Sequence, residues 1–409
     1  MLKAGTLSNI IFITLLVFCA CIDPYFQKLR NYESLLVIDG LITDENSSYA
    51  VRLSRTMVEQ DANPYMVSNA TVFITDNTGS TSYLNNTGNG LYKTDSNLFR
   101  GQAGRVYTLH IETGEGDRYV SDQCPMPDGP EIDSAYFEKD QELVNNGTES
   151  NSGIRIYLDS EAGDIDTYYR WEYEDTWIFK VPFPKKADYI DSNTIIPVAD
   201  PKEFCWKSGR SDEILIHSAF TNESEHIQRQ PILFIASDKS DRLLIQYSIL
   251  IKQYSISKAE FDFWDNLKRV SESGSDIFAS QPYTVISNIH NLNRPDDRVL
   301  GYFRVSSVKQ KRLNISVNEI AKLDLPFYHY RCEKVETWPA DPIWVMHDPP
   351  LTFDQLYERY INSGYTFIEP KYFHGTTELD KIIFVLNPQC ANCELTGTPA
   401  KPDFWKDLN

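Results

Sequence analysis

The residue with the plainest chemistry is Cys21. Lys3 supplies a positive start, Ile10 to Phe18 form an apolar run, and Ala20 places a small side chain directly before the thiol. This is the layout cut by a signal peptidase of the lipoprotein type. The thiol then carries a diacylglyceryl group, so residues 1–20 are the expected signal and Cys21 the first mature residue. Cys19 is a poorer acceptor because bulky Phe18 precedes it. The apolar run is shorter than the roughly 20 residues that a transmembrane helix wants, and more than one acyl chain is enough for stable anchoring. A secreted protein cut at an ordinary site and a retained anchor helix are the competing readings.

Thiol chemistry also bears on the remaining cysteines. Cys124, Cys205, Cys332, Cys390 and Cys393 make an odd set for an oxidising compartment. Cys390 and Cys393 are close enough to join in a tight loop, which makes Cys205 with Cys332 the expected second bridge and leaves Cys124 free. Three pairings of the four bridging residues are formally open. Zinc at Cys390-Ala-Asn-Cys393 is disfavoured, since no second such pair or nearby His completes four ligands.

Acid–base chemistry has thinner support. Glu172, Glu174 and Asp175 offer a glycosidase-like acid pair, but at this spacing on a strand they read as easily as solvated charge. The seven His residues, His110, His217, His226, His290, His329, His347 and His374, are scattered without ligand-like pairs. No nucleophile elbow, zinc-protease helix, phosphate-cradling loop, dinucleotide fingerprint or calcium loop is present. The expectation is a protein that is not an enzyme and has neither metal nor cofactor. A formal net charge of −19 argues against nucleic acid and against polybasic adhesion to anionic lipid.

The elements that must position these residues read mainly as β. After a tether over residues 21–33, short strands begin at Leu35–Gly40, Tyr49–Leu53, Ala70–Asp76, Arg105–Glu112 and Arg118–Ser121, separated by Gly and Asn turns. Regularly spaced short strands predict an immunoglobulin-like sandwich over 34–125. Pro125, Pro127 and Pro130 form a stiff connector. A larger, fibronectin-like β-rich domain is expected over 132–409, with Trp171 on a central strand read as core. Pro182 to Glu203, with four prolines, reads as an insertion or long loop. Strands resume near Leu233–Ile235, Arg242–Ile251, Leu300–Ser307 and Lys311–Val317.

One helix is well marked, over 258–273. Ser257 and Glu260 have capping-box spacing, Ile256 and Phe261 form the staple, and Phe261, Trp264, Leu267 and Val270 make an apolar stripe that ends before Gly274. A second helix is expected at Thr352–Ile361, within a cysteine-containing C-terminal region.

Several of these landmarks together resemble the lipoproteins of Bacteroidota that contain a DUF4249 domain. The likeness rests on Ile22-Asp23-Pro24 after the lipidation motif, Leu35 to Thr43, Val51 to Arg55, Gly104 to Leu109 and Tyr168 to Tyr173. It continues through Cys205-Trp206, Gln246 to Trp264, Gly301-Tyr302-Phe303, Cys390 with Cys393, and Pro402-Asp403-Phe404-Trp405. The resemblance implies an outer-membrane location and a TonB-dependent receptor as partner, with no catalytic residue to carry over. Helical-repeat character of the SusD-like kind is lacking, which argues against a starch-type role. The leading expectation is a non-catalytic binding or accessory subunit, with the 182–203 insertion presented to the receptor. A structural or assembly protein of the cell surface is the alternative, and an enzyme on an extracellular polymer the third. Trp177, Trp206 and Trp264 are the aromatic residues best suited to a binding surface.

Overall fold

The computed structural model describes residues 34–57, 65–144, 147–161, 167–219, 226–273, 286–339, 341, 343 and 349–408. The signal, Cys21, the tether, Gly274 and His347 lie outside them. The described chain is mainly β, in several sheets with few helices. No helix among the described residues is long and apolar enough to cross a membrane.

In the first unit, alternation does what the sequence suggests. Leu36, Ile38 and Ile42 of the strand Leu36–Ile42 are buried, with Asp39 turned out. This strand pairs antiparallel with Ala50–Arg55. The facing sheet is built on Ala70–Asp76, Val106–Thr113 and Arg118–Ser121, and both sheets share one core around Tyr92, Tyr107 and Leu109.

The expected boundary at 125–132 is incomplete. Val299–Val305 returns to the first unit and pairs parallel with Leu36–Ile42, while Ile289–Asn291 adds to the facing sheet beside Arg118–Ser121. Parallel neighbours need long crossovers and have no hairpin turn to betray them, so local patterning placed the strand from Leu300 in the second unit, and the short Ile289–Asn291, at the edge of a polar stretch, was not read as a strand. Gly301 makes the pairing possible. Its φ is +89°, and a Cβ there would sit 1.9 Å from the Ile38 carbonyl oxygen. Gly301→Ala should therefore destabilise the first unit by about 2–3 kcal/mol, through left-handed strain and a backbone clash. Urea unfolding measures this, and an unchanged midpoint would contradict the account.

The second unit has one sheet of Ile132–Val144, Glu149–Ser160 and Ile227–Ala236. Its other sheet centres on Thr167–Lys180, flanked on one side by Phe204–Arg210 and Leu215–Ala219 and on the other by Gln246–Ile256 and then Ser307–Ser316. Trp171 is fully buried in the shared core, and its indole N–H donates to Gln253 Oε1 at 2.9 Å, so the core reading of this residue holds. The strand expected from Arg242 begins instead at Gln246, because Asp241–Leu243 forms a single 3-10 turn capped by the Ser240 side chain.

Pro182 to Glu203 is not simply a loop. It holds the hairpin Ala187–Asp191 and Thr194–Pro197, which packs on the helix Phe353–Asn362. Tyr189 stacks on Tyr357 at 4.3 Å and donates its hydroxyl to Asp354 at 2.7 Å. The prolines masked the alternation, and the hairpin's partner lies far along the chain. The expected Thr352 helix is present, with Thr352 as N-cap and a full capping box to Gln355. A sheet of Lys334–Thr337, Thr366–Tyr372 and Leu379–Val385 completes this C-terminal unit.

The cysteine pairing differs from expectation. Cys205 bonds Cys393 and Cys332 bonds Cys390, in place of Cys390–Cys393 and Cys205–Cys332. The reason is local. Asn387 and Asn392 each cap a separate 3-10 turn, Pro388–Cys390 and Cys393–Leu395, and the Cys393 amide donates to the Lys202 carbonyl. The two thiols therefore face different parts of the molecule. Cys124 is free, as expected; it is also buried, and burial pushes its thiol up to about 12.

The helix α1 (Lys258–Ser273) joins the two double layers. The Glu260 amide donates to Ser257 Oγ at 3.2 Å, but the return half of the capping box is not made. Instead the Glu260 carboxylate, buried, accepts from Trp264 Nε1 and Ser306 Oγ, both at 3.3 Å. Buried Arg170 of the second unit lies 4.3 Å over the Trp264 ring, and Arg304 of the first unit lies 5.7 Å from it. Burial raises the Glu260 pKa, while Arg304 and Arg170 pull it back.

Candidate functional site

The strand Thr167–Lys180 turns its odd-numbered side chains to the interior, so Asp175, Trp177 and Phe179 share a face with Trp171. Near the strand's C-terminal end this face opens into a cavity of about 440 Å³ between the second unit and the C-terminal unit. Tyr328, Tyr330 and the Cys332–Cys390 disulfide form the opposite wall. The volume lies within the range of small-molecule sites.

Asp241 is the polar hub. Its carboxylate accepts from Trp177 Nε1 at 2.9 Å, Lys207 Nζ at 2.7 Å and the Tyr330 hydroxyl at 3.1 Å. Burial, and then Asp241, push the Tyr330 phenol up, so it stays a donor. Arg242 lies 4.7 Å over Trp177 and donates its Nε to buried Asp175 at 2.9 Å. Tyr247 donates to the same Asp175 oxygen at 3.1 Å. Lys207 sits 4.0 Å over the Phe179 ring. Both cations are thus held twice, by a carboxylate and by a ring face, which fixes charge without long-range reorganisation. The arrangement can orient a polar ligand.

Of the three singled-out tryptophans, only Trp177 lines this cavity. Trp206 meets Trp405 edge-on at 6.2 Å under the C-terminal segment, and its buried indole N–H has no acceptor among the described residues. Trp264 belongs to the junction between the first two units. The acidic trio does not converge. Glu172 accepts from Arg170 and Tyr254, Glu174 pairs with Lys252 at 2.7 Å, and Asp175 points through the sheet to the other side. The described histidines also stay apart. His110 stacks on Phe73 at 4.6 Å, with its pKa lowered by burial, and His290 meets Asp122 at the surface. Among the described residues no group of three or more His, Cys, Asp and Glu side chains is placed to hold a metal ion.

Sequence reasoning missed Lys207, Asp241, Arg242 and Tyr330. Lys207 was reachable, because the alternation that buries Cys205 brings Lys207 to the same face. Nothing local marks the others, which meet Trp177 only through the tertiary fold.

No curated protein matches the chain at a significant level. Residues 22–312 match the profile described as Domain of unknown function (DUF4249), which spans well over half of the sequence. This chain therefore belongs to the DUF4249 family.

Proposed function

We propose that the protein is a non-catalytic ligand-binding lipoprotein of the outer membrane that serves a TonB-dependent receptor. The observation that carries the reading is the aromatic-walled cavity beside Trp177, whose polar groups are held in place before any ligand arrives. In this reading Cys21 carries the acyl chains, the first double layer is an immunoglobulin-like spacer and the second, fibronectin-like layer presents the cavity. The hairpin over 187–197 meets the receptor. The structural or assembly alternative draws on Ile190 and Ile196, which stand exposed on that hairpin.

The test is a mild-detergent pull-down of the tagged protein from its native envelope, with mass spectrometry of what accompanies it. Stoichiometric recovery of a TonB-dependent barrel is the expected result. Recovery of the protein alone, where control barrel complexes stay intact, would overturn the stable-partner reading. The anchor is checked separately. Cys21→Ser should abolish labelling by an alkyne-bearing palmitate analogue and move the protein from the membrane to the soluble fraction, and unchanged labelling would place the lipid elsewhere.

A further inference from the structure

The cavity beside Trp177 has a charge balance opposite to that of the whole molecule. Its charged lining is Lys207, Lys239, Arg242 and Arg331 against Asp241 alone, in a chain with 58 acidic and 39 basic residues. Three of the four cations are paired: Lys207 with Asp241, Arg242 with Asp175, and Lys239 with Asp238 at 3.2 Å. Arg331 is exposed and has no acidic partner among the described residues.

Arg242 carries the argument further. Its Nε is committed to Asp175 and its plane rests over Trp177, yet among the described residues its two terminal nitrogens have no hydrogen-bond partner. A guanidinium fixed at its inner edge with an open outer fork matches the two oxygens of a carboxylate. Because Arg242 and Lys207 cover the faces of Trp177 and Phe179, an entering ligand meets cations on this wall and rings only on the other, at Tyr328 and Tyr330.

We infer that the cavity takes a carboxylate ligand, its oxygens on Arg242 and Arg331 and its ring or aliphatic body against Tyr328 and Tyr330. This rests on the reading of the cavity as a binding site and names the ligand's chemical class. The ion pair to Asp175 is made through Nε, so the terminal nitrogens of Arg242 keep donors for this second anion.

The test uses the full mature chain and a panel of ring-bearing carboxylates, each matched with its primary amide, 4-phenylbutyrate with 4-phenylbutyramide among them. Saturation-transfer NMR finds binders and calorimetry ranks them. The acids should bind at least tenfold more tightly than the amides. Arg331→Gln should weaken the acids about fivefold to tenfold without affecting the amides. Arg242→Lys, which keeps the charge and removes the fork, should weaken them at least as much. Amides that bind as well as acids, with Arg331→Gln silent, would overturn the carboxylate assignment and leave the cavity a binding site. Failure of both halves of the panel would overturn the site as well.

Discussion

Replacing Cys205 and Cys393 together by Ala should cost about 4–5 kcal/mol, because the bond closes a loop of 188 residues and such closures restrict the unfolded chain most. Both cysteines are fully or nearly fully buried, so alanine also leaves two small voids at the place where the C-terminal segment docks. The loss should be local before it is global. The segment after residue 387 is held at this point by the disulfide, by paired backbone bonds between Trp206 and Thr398, and by Gln246 gripping the Lys406 carbonyl and the Leu408 amide. Without the disulfide, limited proteolysis should cut this segment at temperatures where the wild type resists. The double replacement is needed because either cysteine left alone could attack the neighbouring Cys332–Cys390 bond. Peptide mapping without reductant gives the complementary check: a 390–393 linked peptide would refute the pairing, and an unshifted melting curve for the double variant would refute the energetic claim.

Glu260→Ala is the second large effect, about 2–4 kcal/mol, since it strands the Trp264 indole N–H and the Ser306 hydroxyl without their buried acceptor and removes a negative charge facing Arg170 and Arg304. Arg170 keeps Glu172, and Arg304 keeps Asp39, so the loss should loosen the junction without unfolding either double layer. Small-angle scattering and the near-ultraviolet signal of Trp264 report it. Glu260→Gln is the control that retains the bonds from Trp264 and Ser306. The pH dependence has a definite sign. Burial raises the folded-state pKa of Glu260, so between the ordinary carboxylate value and that raised value the folded protein binds more protons than the unfolded chain. The stabilisation that protonated Glu260 brings is therefore lost as pH climbs through this window. The wild type should gain on Glu260→Gln as the pH falls through this window, with Arg170, Arg304, Glu172 and Tyr254 present in both proteins. A difference that stays flat with pH would show that Glu260 does not titrate there.

The sequence made some of this visible for reasons that can be named. Leu36, Ile38 and Ile42 alternate without interruption, and Ser257 with Phe261 and Trp264 announces a helix start, so local periodicity sufficed for those elements. Trp171 read correctly as core because a central strand of a two-layer structure turns one face to the interior, and Trp171 is on it. Other features depend on contacts that no window of sequence contains. Glu260 looked like half of a capping box, and locally it is; its carboxylate was drawn away by Ser306 and two arginines from separate units. Cys390 and Cys393 are neighbours in sequence, yet two asparagine-capped turns send them to partners 58 and 188 residues away. Of the cavity only Trp177 was legible; Asp241, Arg242 and Tyr330 were hidden, because they arrive from elsewhere in the fold.

The parallel strand at Val299–Val305 also imposes an order of events on the nascent chain. By the time residue 125 has left the ribosome or the translocation pore, every antiparallel partner of Leu36–Ile42 is available, but the strand that covers its outer edge lies more than 170 residues further on. Until that strand arrives, the edge exposes a row of unsatisfied amide and carbonyl groups, the template on which unrelated chains add. Synthesis must carry the first unit through this interval unfinished, while the strands of residues 132–256 are made and still wait for their own last neighbour, Ser307–Ser316. A fragment ending at residue 125 would stay in that state permanently, and its fate would be association with its own copies.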